Sequence, residues 1–527
     1  MLLALLAAAL AGGCGGGGGG GGPAITVAIF EGQAIDPVRL TGFGVDLLAR
    51  QLFAPLFEFD LLRGELRPVL VESTTVTADG LVWTLVLREA LWSDASPITA
   101  ADVEFSIKRA LDPVEGAQFV TPLYVIEGAQ AFHQQDPGAV SVTAEAVGVR
   151  ATGPRTLEVR LRKPAAYLPG VLSLPNVWPV PRAALERHGE RWTEPEHLVV
   201  SGAYRLERIE PGRRFVLVKN PRYFEAGAVA IRRVTFEEVP LEGADVQALR
   251  ERWRAGELDA MILHTLFGSF REQQADPLLG PTLRLMRFPA TFMMVFNTAA
   301  GATRDRNVRR ALSAAIDRRR EAAEFSGLAA SAQRTVAPPG VAGAVPPQAG
   351  IGLRGHQGLA QAFRAAAGAA FPQAVTITQQ PAGSRAAERI AAQWRALFGP
   401  ELQVDVASSE SSAEHFERLF GPDPQAQPEI MLLGWVADYP DAFNFLGDLH
   451  VALNPSRLER PDFVELVEQA GAETDPQVRA ALFAEAERIL CEDEAAVAPI
   501  SAGLLAVHVQ PRLDFQDSLS IGRWRLR

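Results

Sequence analysis

The segment PVLVESTTVTADGLVWTLVLREALWSDASPITAADVEFSIKRALDP, residues 68–113, carries the signals of a strand, a turn and a capped helix in one block. Residues 82–88 alternate between apolar and polar side chains, as a half-buried strand requires. Thr99 followed by Asp102 is typical of a capping box, and the apolar residues after it recur at helical spacing. Short strands and amphipathic helices keep alternating along the rest of the chain, which predicts an α/β protein.

The composition is that of an acidic, globular chain. It has 527 residues, 48% hydrophobic and 21% charged, enough to bury a large core and to divide into two or more lobes. The net charge is −11, and no basic run is interleaved with aromatic residues, so we expect no nucleic-acid partner. Beyond the first residues no run of about 18 apolar residues appears, so we do not expect the chain to be a permease itself.

The N-terminal sequence MLLALLAAALAGGCGGGGGGGG, residues 1–22, predicts export and attachment to a membrane. Its apolar run of about ten residues suits a signal peptide and is shorter than the ~20 residues of a membrane-spanning helix. The small residues before Cys14 resemble the lipid-attachment motif of bacterial lipoproteins. The glycines after Cys14 would form a flexible tether of about 16 Å r.m.s. span. The alternative is an ordinary cleaved secretory signal in which Cys14 has no role.

Residues that could carry catalysis or bind a metal are sparse. Cys14 and Cys491 are the two cysteines, so a lipidated Cys14 leaves Cys491 without a disulfide partner in the chain. The sequence lacks a G-x-S-x-G elbow, a G-x-x-x-x-G-K-[ST] phosphate loop and an H-E-x-x-H zinc motif. Among the histidines only His188 and His197 lie close together, at no recognised ligand spacing. We therefore expect no enzyme activity, no metal site and no cofactor.

The block at residues 68–113 resembles the signature region of bacterial extracellular solute-binding protein family 5, which includes the oligopeptide- and dipeptide-binding proteins of ABC importers. Further segments that resemble the family follow in the family's order. They are SGAYRL (201–206), FVLVKNPRYF (215–224), AGELD (255–259), FMMVFNTAAGATRDRNVRRALSAAIDR (292–318) and LLGWVADYPDAFNFL (432–446). The resemblance thus covers the chain from about residue 25 to its last residues.

The resemblance implies a periplasmic-binding-protein-like α/β fold, with two lobes around a ligand cleft and an additional inserted domain near the N-terminus. Carried over to this chain, the leader and tether take residues 1–22, lobe I takes 23–60, 200–285 and 500–527, the inserted domain takes 61–199, and lobe II takes 286–499. Residues 329–372 are rich in Ala, Gly and Pro. We expect them to be an ordered but loose loop of lobe II, followed by a small helix.

The segment GWVADYPD, residues 434–441, contains the strongest candidates for ligand binding. It follows an apolar run typical of a strand, and its glycine and proline place Asp438 on a loop. In the peptide-binding branch of the family, the aspartate that matches Asp438 pairs with the ligand's α-ammonium group, a charge-assisted bond that desolvation strengthens. Trp435 and Tyr439 would line the same pocket. The alternatives are a solvated turn residue for Asp438, a core position for Trp435 and a covering role for Tyr439.

Three further residues are weaker candidates for the ligand cleft. Phe43 lies on the first loop after a strand, where the family often contacts ligand, and its alternative is a core position. Asn297 follows an apolar strand near the expected crossover between the lobes, where its amide would bridge backbone or ligand. Asn444 lies close behind Asp441 in the sequence, and its alternative is to cap the following helix.

Two departures from the oligopeptide-binding branch concern the ligand. Leu432 and Leu433 stand where those proteins carry an arginine, and Val436 stands where they carry a cysteine. The resemblance implies the monomeric substrate-binding component of an ABC importer, which captures peptides or a similar amine-bearing solute and delivers it to a membrane permease. It would be anchored by lipid in the periplasm or at the cell surface. Alternatives are a receptor for a nickel chelate, haem, an opine or an oligosaccharide, a secreted hydrolase, and a sensor that docks to a signalling partner.

Overall fold

The structure, a computed structural model, describes residues 23–527 except 41–46, 61–64, 136–141, 241, 264–265, 269, 325–328, 345–351, 382–384 and 517–518. The block at residues 68–113 folds as predicted. A strand at Val82–Leu87 is followed by a helix at Ala100–Ala110. The backbone N–H of Asp102 donates to the Thr99 hydroxyl and the backbone N–H of Thr99 donates to the Asp102 carboxylate, which is the predicted capping box.

The strands are numbered in chain order. The first ten are β1 Ala24–Phe30, β2 Phe57–Asp60, β3 Glu65–Pro68, β4 Val71–Val76, β5 Val82–Leu87, β6 Val149–Ala151, β7 Thr156–Arg160, β8 Tyr204–Glu210, β9 Arg214–Lys219 and β10 Arg233–Val239. The others are β11 Ala260–Ile262, β12 Leu283–Phe296, β13 Ala329–Ala332, β14 Ala374–Gln379, β15 Gln403–Ser408, β16 Ile430–Val436, β17 Val497–Val509, β18 Leu513–Asp514 and β19 Arg525–Leu526.

The α-helices lie between these strands. The first seven are α1 Leu47–Leu52, α2 Ala100–Ala110, α3 Ala129–His133, α4 Leu168–Val171, α5 Arg182–His188, α6 Val246–Ala255 and α7 Phe270–Ala275. The others are α8 Arg306–Ala314, α9 Arg318–Ala323, α10 Gln357–Ala367, α11 Ala386–Phe398, α12 Ser412–Phe420, α13 Pro461–Ala472 and α14 Pro476–Arg488. The chain also forms two π-helical stretches, at Asn444–Leu453 and Ile489–Asp493. The predicted α/β class is confirmed.

One mixed sheet of eleven strands runs through the molecule, in the order β15-β14-β16-β12-β17-β11-β1-β10-β9-β8, with β13 beside β17. The long antiparallel strands β12 and β17 connect its two halves, because β17 pairs with β11 on one side and β12 pairs with β16 on the other. The register between β12 and β17 shifts between Arg287 and Thr291. This span contains Pro289, which cannot donate a ladder hydrogen bond. The connection between the two halves is therefore irregular at its centre.

A second, antiparallel sheet has the order β4-β5-β7-β6 and packs against α2. Its inward-facing residues Leu85, Leu87, Leu157 and Val159 are buried. This sheet and the chain after it, residues 65–135 and 142–199, are called the small-sheet unit below. It supplies one wall of the site described in the next subsection.

The residues rich in Ala, Gly and Pro are more regular than expected at their start. Ala329–Ala332 form β13, which pairs antiparallel with β17, so the expectation of a loop is wrong for these four residues. The predicted helix is present as α10, which packs against α8. None of the helices in the described part of the chain combines the length and the hydropathy of a membrane-spanning segment.

Candidate functional site

Strand β16 lies between β14 and β12, and the candidate residues lie at its C-terminal end and in the loop that follows. Its pairing with β12 extends from Ile430 to Val436, whereas β14 pairs with its other edge only as far as Met431. Beyond that point no strand of the described chain covers this edge of β16. At Gly434 an added Cβ would lie 2.9 Å from a ring carbon of Phe292, so a larger residue would have to displace that ring.

The loop after β16 is held by an ion pair that leaves Asp438 free. Arg479 on α14 donates to both carboxylate oxygens of Asp441, at 2.7 and 2.9 Å, and its Nε donates to the carbonyl of Ala470. Both charged side chains are buried. The Asp441 carboxylate also accepts from the backbone N–H of Phe443. Asp441 is therefore committed to holding the loop, and Asp438 is not part of this network.

Asn444 is the centre of the polar site. Its Oδ1 accepts from the indole Nε1 of Trp435 at 2.9 Å and from the backbone N–H of Asp438 at 3.3 Å. Its Nδ2 donates to Oδ2 of Asp438 at 3.3 Å and to Oδ2 of Asp448 at 3.1 Å. One amide group therefore orients the indole and brings two carboxylates together. The alternative role as a helix cap is wrong, since none of these bonds goes to the N–H groups of the following helix.

The two carboxylates are poorly solvated and lack a cationic partner. Burial raises the pKa of Asp438 to about 6. Burial and the neighbouring charge of Asp438 raise the pKa of Asp448 to about 7, although the Tyr439 hydroxyl donates to Asp448 at 2.7 Å. Within the described ranges neither carboxylate forms an ion pair. Buried carboxylates without a counter-ion favour a proton or a ligand cation.

A cavity of about 350 Å³ lies in front of these carboxylates. Asp438, Asp448, Trp435 and Tyr439 form one wall, and residues of the small-sheet unit from Thr121 to Tyr167 form the other. The cavity is therefore enclosed by two separate parts of the chain.

Contacts beside the cavity join its two walls. The ring of Tyr167 stacks on Phe443 with centroids 4.2 Å apart, and the backbone N–H of Ala166 donates to the Gly471 carbonyl at 2.9 Å. Lys163 and Glu468 form an ion pair at 2.6 Å at the rim, where both side chains are partly exposed. These contacts fix the aromatic and polar groups that surround the carboxylates.

The structure brings four of the six predicted ligand residues together. Asp438, Trp435 and Tyr439 line the cavity, and Asn444 connects them. Asn297 lies apart from them: it is fully buried and its Nδ2 donates to the carbonyls of Pro424 and Gln427, which is the backbone-bridging role. Phe43, as well as the predicted lipid-attachment residue Cys14, lies outside the described residues.

Asp448 is the functional candidate that the sequence analysis missed. It is one of 62 acidic residues and stands in no recognised motif. The sequence feature that could have identified Asp448 is its spacing of four residues from Asn444, which places both side chains on one face of a helix. The π-helical stretch Asn444–Leu453 then turns that face toward Asp438.

One group in the described ranges places three possible metal ligands close together. The ligand atoms of Glu194, Glu196 and His197 all lie within 4.8 Å of one another, and the ring of His188 stacks on His197 with centroids 3.9 Å apart. Glu194 already pairs with Arg191 at 2.7 Å. This group does not belong to the cavity lining.

A hydrolase would need a nucleophile next to a histidine in the cleft. His450 is buried, and neither of its ring nitrogens has a hydrogen-bond partner in the described chain. His264 lies outside the described residues. His450 therefore gives no support to the hydrolase alternative.

Known proteins share this fold along most of the chain. The family model "Bacterial extracellular solute-binding proteins, family 5 Middle" matches residues 65–451. The periplasmic oligopeptide-binding protein OppA of Escherichia coli (strain K12) is 28% identical over 479 residues, which cover 89% of this chain and 84% of that protein. The periplasmic murein peptide-binding protein MppA of the same strain is 28% identical over 482 residues, with coverage of 89% and 86%.

Solved structures match the chain over nearly its whole length. The unliganded open form of the murein tripeptide-binding protein MppA matches with a TM-score of 0.81 at 25% identity, covering 95% of each chain. Haemophilus influenzae OppA in complex with the peptide RPPGFSPFR matches with a TM-score of 0.66 at 23% identity, covering 96% of this chain and 99% of that one.

Proposed function

The chain belongs to the bacterial extracellular solute-binding proteins of family 5, and from this premise we propose that it captures peptides for an ABC importer. The observation that carries the proposal is the carboxylate of Asp438, which faces a cavity without a cationic partner in the described chain. The α-ammonium group of a peptide supplies that partner. A charge-assisted hydrogen bond in a desolvated site is strong, and it fixes the direction of the bound peptide.

The uncovered edge of β16 supports an extended peptide as the ligand. The Leu432 carbonyl is already bonded to the His415 ring at 2.8 Å, so the available edge runs from Leu433 to Val436. It offers a strand length of about 10 Å, at about 3.3 Å per residue. A peptide that adds to such an edge forms main-chain hydrogen bonds, which give affinity with little dependence on its side chains. The edge leads to Asp438 at its end, so backbone pairing and the ammonium bond would act on the same short peptide.

Capture would proceed by closure of lobe II toward lobe I and the inserted domain, whose residues form the opposite wall of the cavity. A ligand that contacts both lobes stabilises the closed form by its higher affinity for it. Strands β12 and β17 connect the two halves of the sheet, and the break in their register near Pro289 is a natural position for bending. The proposed boundaries, lobe I at 23–60, 200–285 and 500–527 and lobe II at 286–499, place this break where the lobes meet.

We also propose that the chain is exported and attached to the membrane beside its permease. Residues 1–22 would export the chain, and acylation of Cys14 would hold it at the membrane surface as a monomer, next to the permease that receives the peptide. The periplasmic location in the names of the two relatives supports export. The binding step itself needs no cofactor.

Native mass spectrometry of the exported chain, purified without its lipid, tests the proposal. We expect adducts with the masses of short peptides, which dissociate on activation and can be sequenced. The Asp438→Asn variant should carry markedly fewer of them, because its amide cannot pair with an ammonium. Adducts that are not peptides, or equal peptide occupancy in both proteins, would contradict the proposed function.

A further inference from the structure

We propose that Asp448 is a second ligand-binding carboxylate of this cavity, and that the chain prefers peptides whose first residue carries a basic side chain. The inference rests on the proposed function, since it places the peptide's α-ammonium at Asp438. It assigns the side chain of that same first residue to Asp448. The ligand class is therefore a peptide with two cationic groups at its amino end.

The distance between the two carboxylates fits such an end group. Asp438 and Asp448 both accept from the single Nδ2 of Asn444, at 3.3 and 3.1 Å. Their Oδ2 atoms therefore lie within about 6.5 Å of each other, the sum of the two bonds. A side chain of three or four methylenes places its terminal cation about 5–7 Å from the α-ammonium group. One basic residue can therefore contact both carboxylates at once.

The charges around the cavity leave both carboxylates available. The cationic residues of the lining are Lys163 and Arg162. Lys163 is paired with Glu468 at 2.6 Å, and Arg162 donates to the side chain of Gln130. Neither of them forms an ion pair with Asp438 or Asp448. A single ammonium would neutralise one carboxylate and leave the other either buried and charged or in need of a proton, whereas a dicationic end neutralises both.

The Asp448 carboxylate can accept further hydrogen bonds beyond those it forms within the chain. Its Oδ2 accepts from the Tyr439 hydroxyl and from Asn444, and both of these donors are neutral. No described residue donates to its Oδ1 in a hydrogen bond. A carboxylate has two oxygens with room for about four donors, so a ligand cation can bind without displacing Tyr439.

Isothermal titration calorimetry with two matched tetrapeptides tests the inference on the full mature chain. Lys-Ala-Ala-Ala carries the second cation, and norleucine-Ala-Ala-Ala has nearly the same shape without it. We expect the wild-type chain to bind the lysine peptide about tenfold more tightly, equivalent to about 1.4 kcal/mol. In Asp448→Asn the preference should fall to within about twofold, while the norleucine peptide keeps its affinity. The asparagine can still accept from Tyr439, and retained norleucine binding shows that the variant is folded.

Two further variants separate the possible failures. Glu465→Gln removes one exposed negative charge from α13 and should leave the lysine preference unchanged, which excludes a mere effect of net charge. Asp438→Asn should weaken both peptides. Equal wild-type affinity for the two peptides, or a preference that survives in Asp448→Asn, would overturn the role of Asp448 and leave the proposed function intact. Failure of both peptides to bind the wild-type chain would instead contradict the proposed function.

Discussion

At the scale of single residues, the site depends on placing carboxylates where water is scarce. Burial raises the pKa of Asp438 to about 6 and the pKa of Asp448 to about 7. An ion-pair partner in the protein would have lowered these values, as the Arg250 guanidinium lowers the pKa of Asp276 to about 2. The raised values therefore mark a site that gains most when a cation from outside the chain enters it.

The raised pKa values predict how peptide affinity depends on pH. An ammonium group binds the ionised carboxylates, and the unliganded site takes up protons as the pH falls through about 7 and about 6. Affinity should therefore be highest near pH 7.5, where the carboxylates are ionised and the α-amino group, with a pKa of about 8, is still largely protonated. It should fall up to about tenfold for each pH unit below 6. Titration calorimetry from pH 5 to pH 8 measures this dependence. In Asp438→Asn the fall below pH 6 should be reduced, and an unchanged profile in that variant would argue against Asp438 as the titrating anchor.

At the scale of elements, α14 fixes the loop that presents Asp438. Replacing Arg479 by Leu removes the bidentate partner of Asp441 and leaves a buried, unpaired charge. We expect the free energy of unfolding to fall by about 3–5 kcal/mol and peptide affinity to fall with it. Urea denaturation measures the first effect. Arg488→Leu, at an exposed ion pair of the same helix, should cost less than about 1 kcal/mol, and equal losses in the two variants would contradict this role of Arg479.

The elements also show which features the sequence could predict. The strand and the capped helix of residues 68–113 follow from local periodicity and a capping motif, and both are confirmed. Trp435 lies near the end of β16, and Asp438 and Tyr439 follow directly after it, so local sequence order placed the three together. Asp448 joins them through a π-helical turn, and β13 forms by pairing with β17 far along the chain. Such features depend on tertiary contacts, which local patterns do not encode.

At the scale of the whole molecule, the proposed closure of the lobes predicts a change of shape on binding. A peptide that contacts both lobes should shift the chain to a more compact form. Small-angle X-ray scattering should therefore show a smaller radius of gyration with saturating peptide. Asp438→Asn should keep the larger radius at the same peptide concentration, because the ligand's anchor is lost. An unchanged radius in the saturated wild-type chain would contradict closure.

The domain boundaries and the lipid at Cys14 stay predictions.

The most direct test of the central claim is the affinity of the wild-type chain for one tetrapeptide with and without an acetylated amino end, measured by titration calorimetry at pH 7.5. The account predicts that acetylation costs about 2–4 kcal/mol, because it removes the cation that pairs with Asp438. In Asp438→Asn the two peptides should bind with similar, weak affinity. Equal binding of the free and acetylated peptides by the wild-type chain would contradict the claim that Asp438 holds the ligand's amino end.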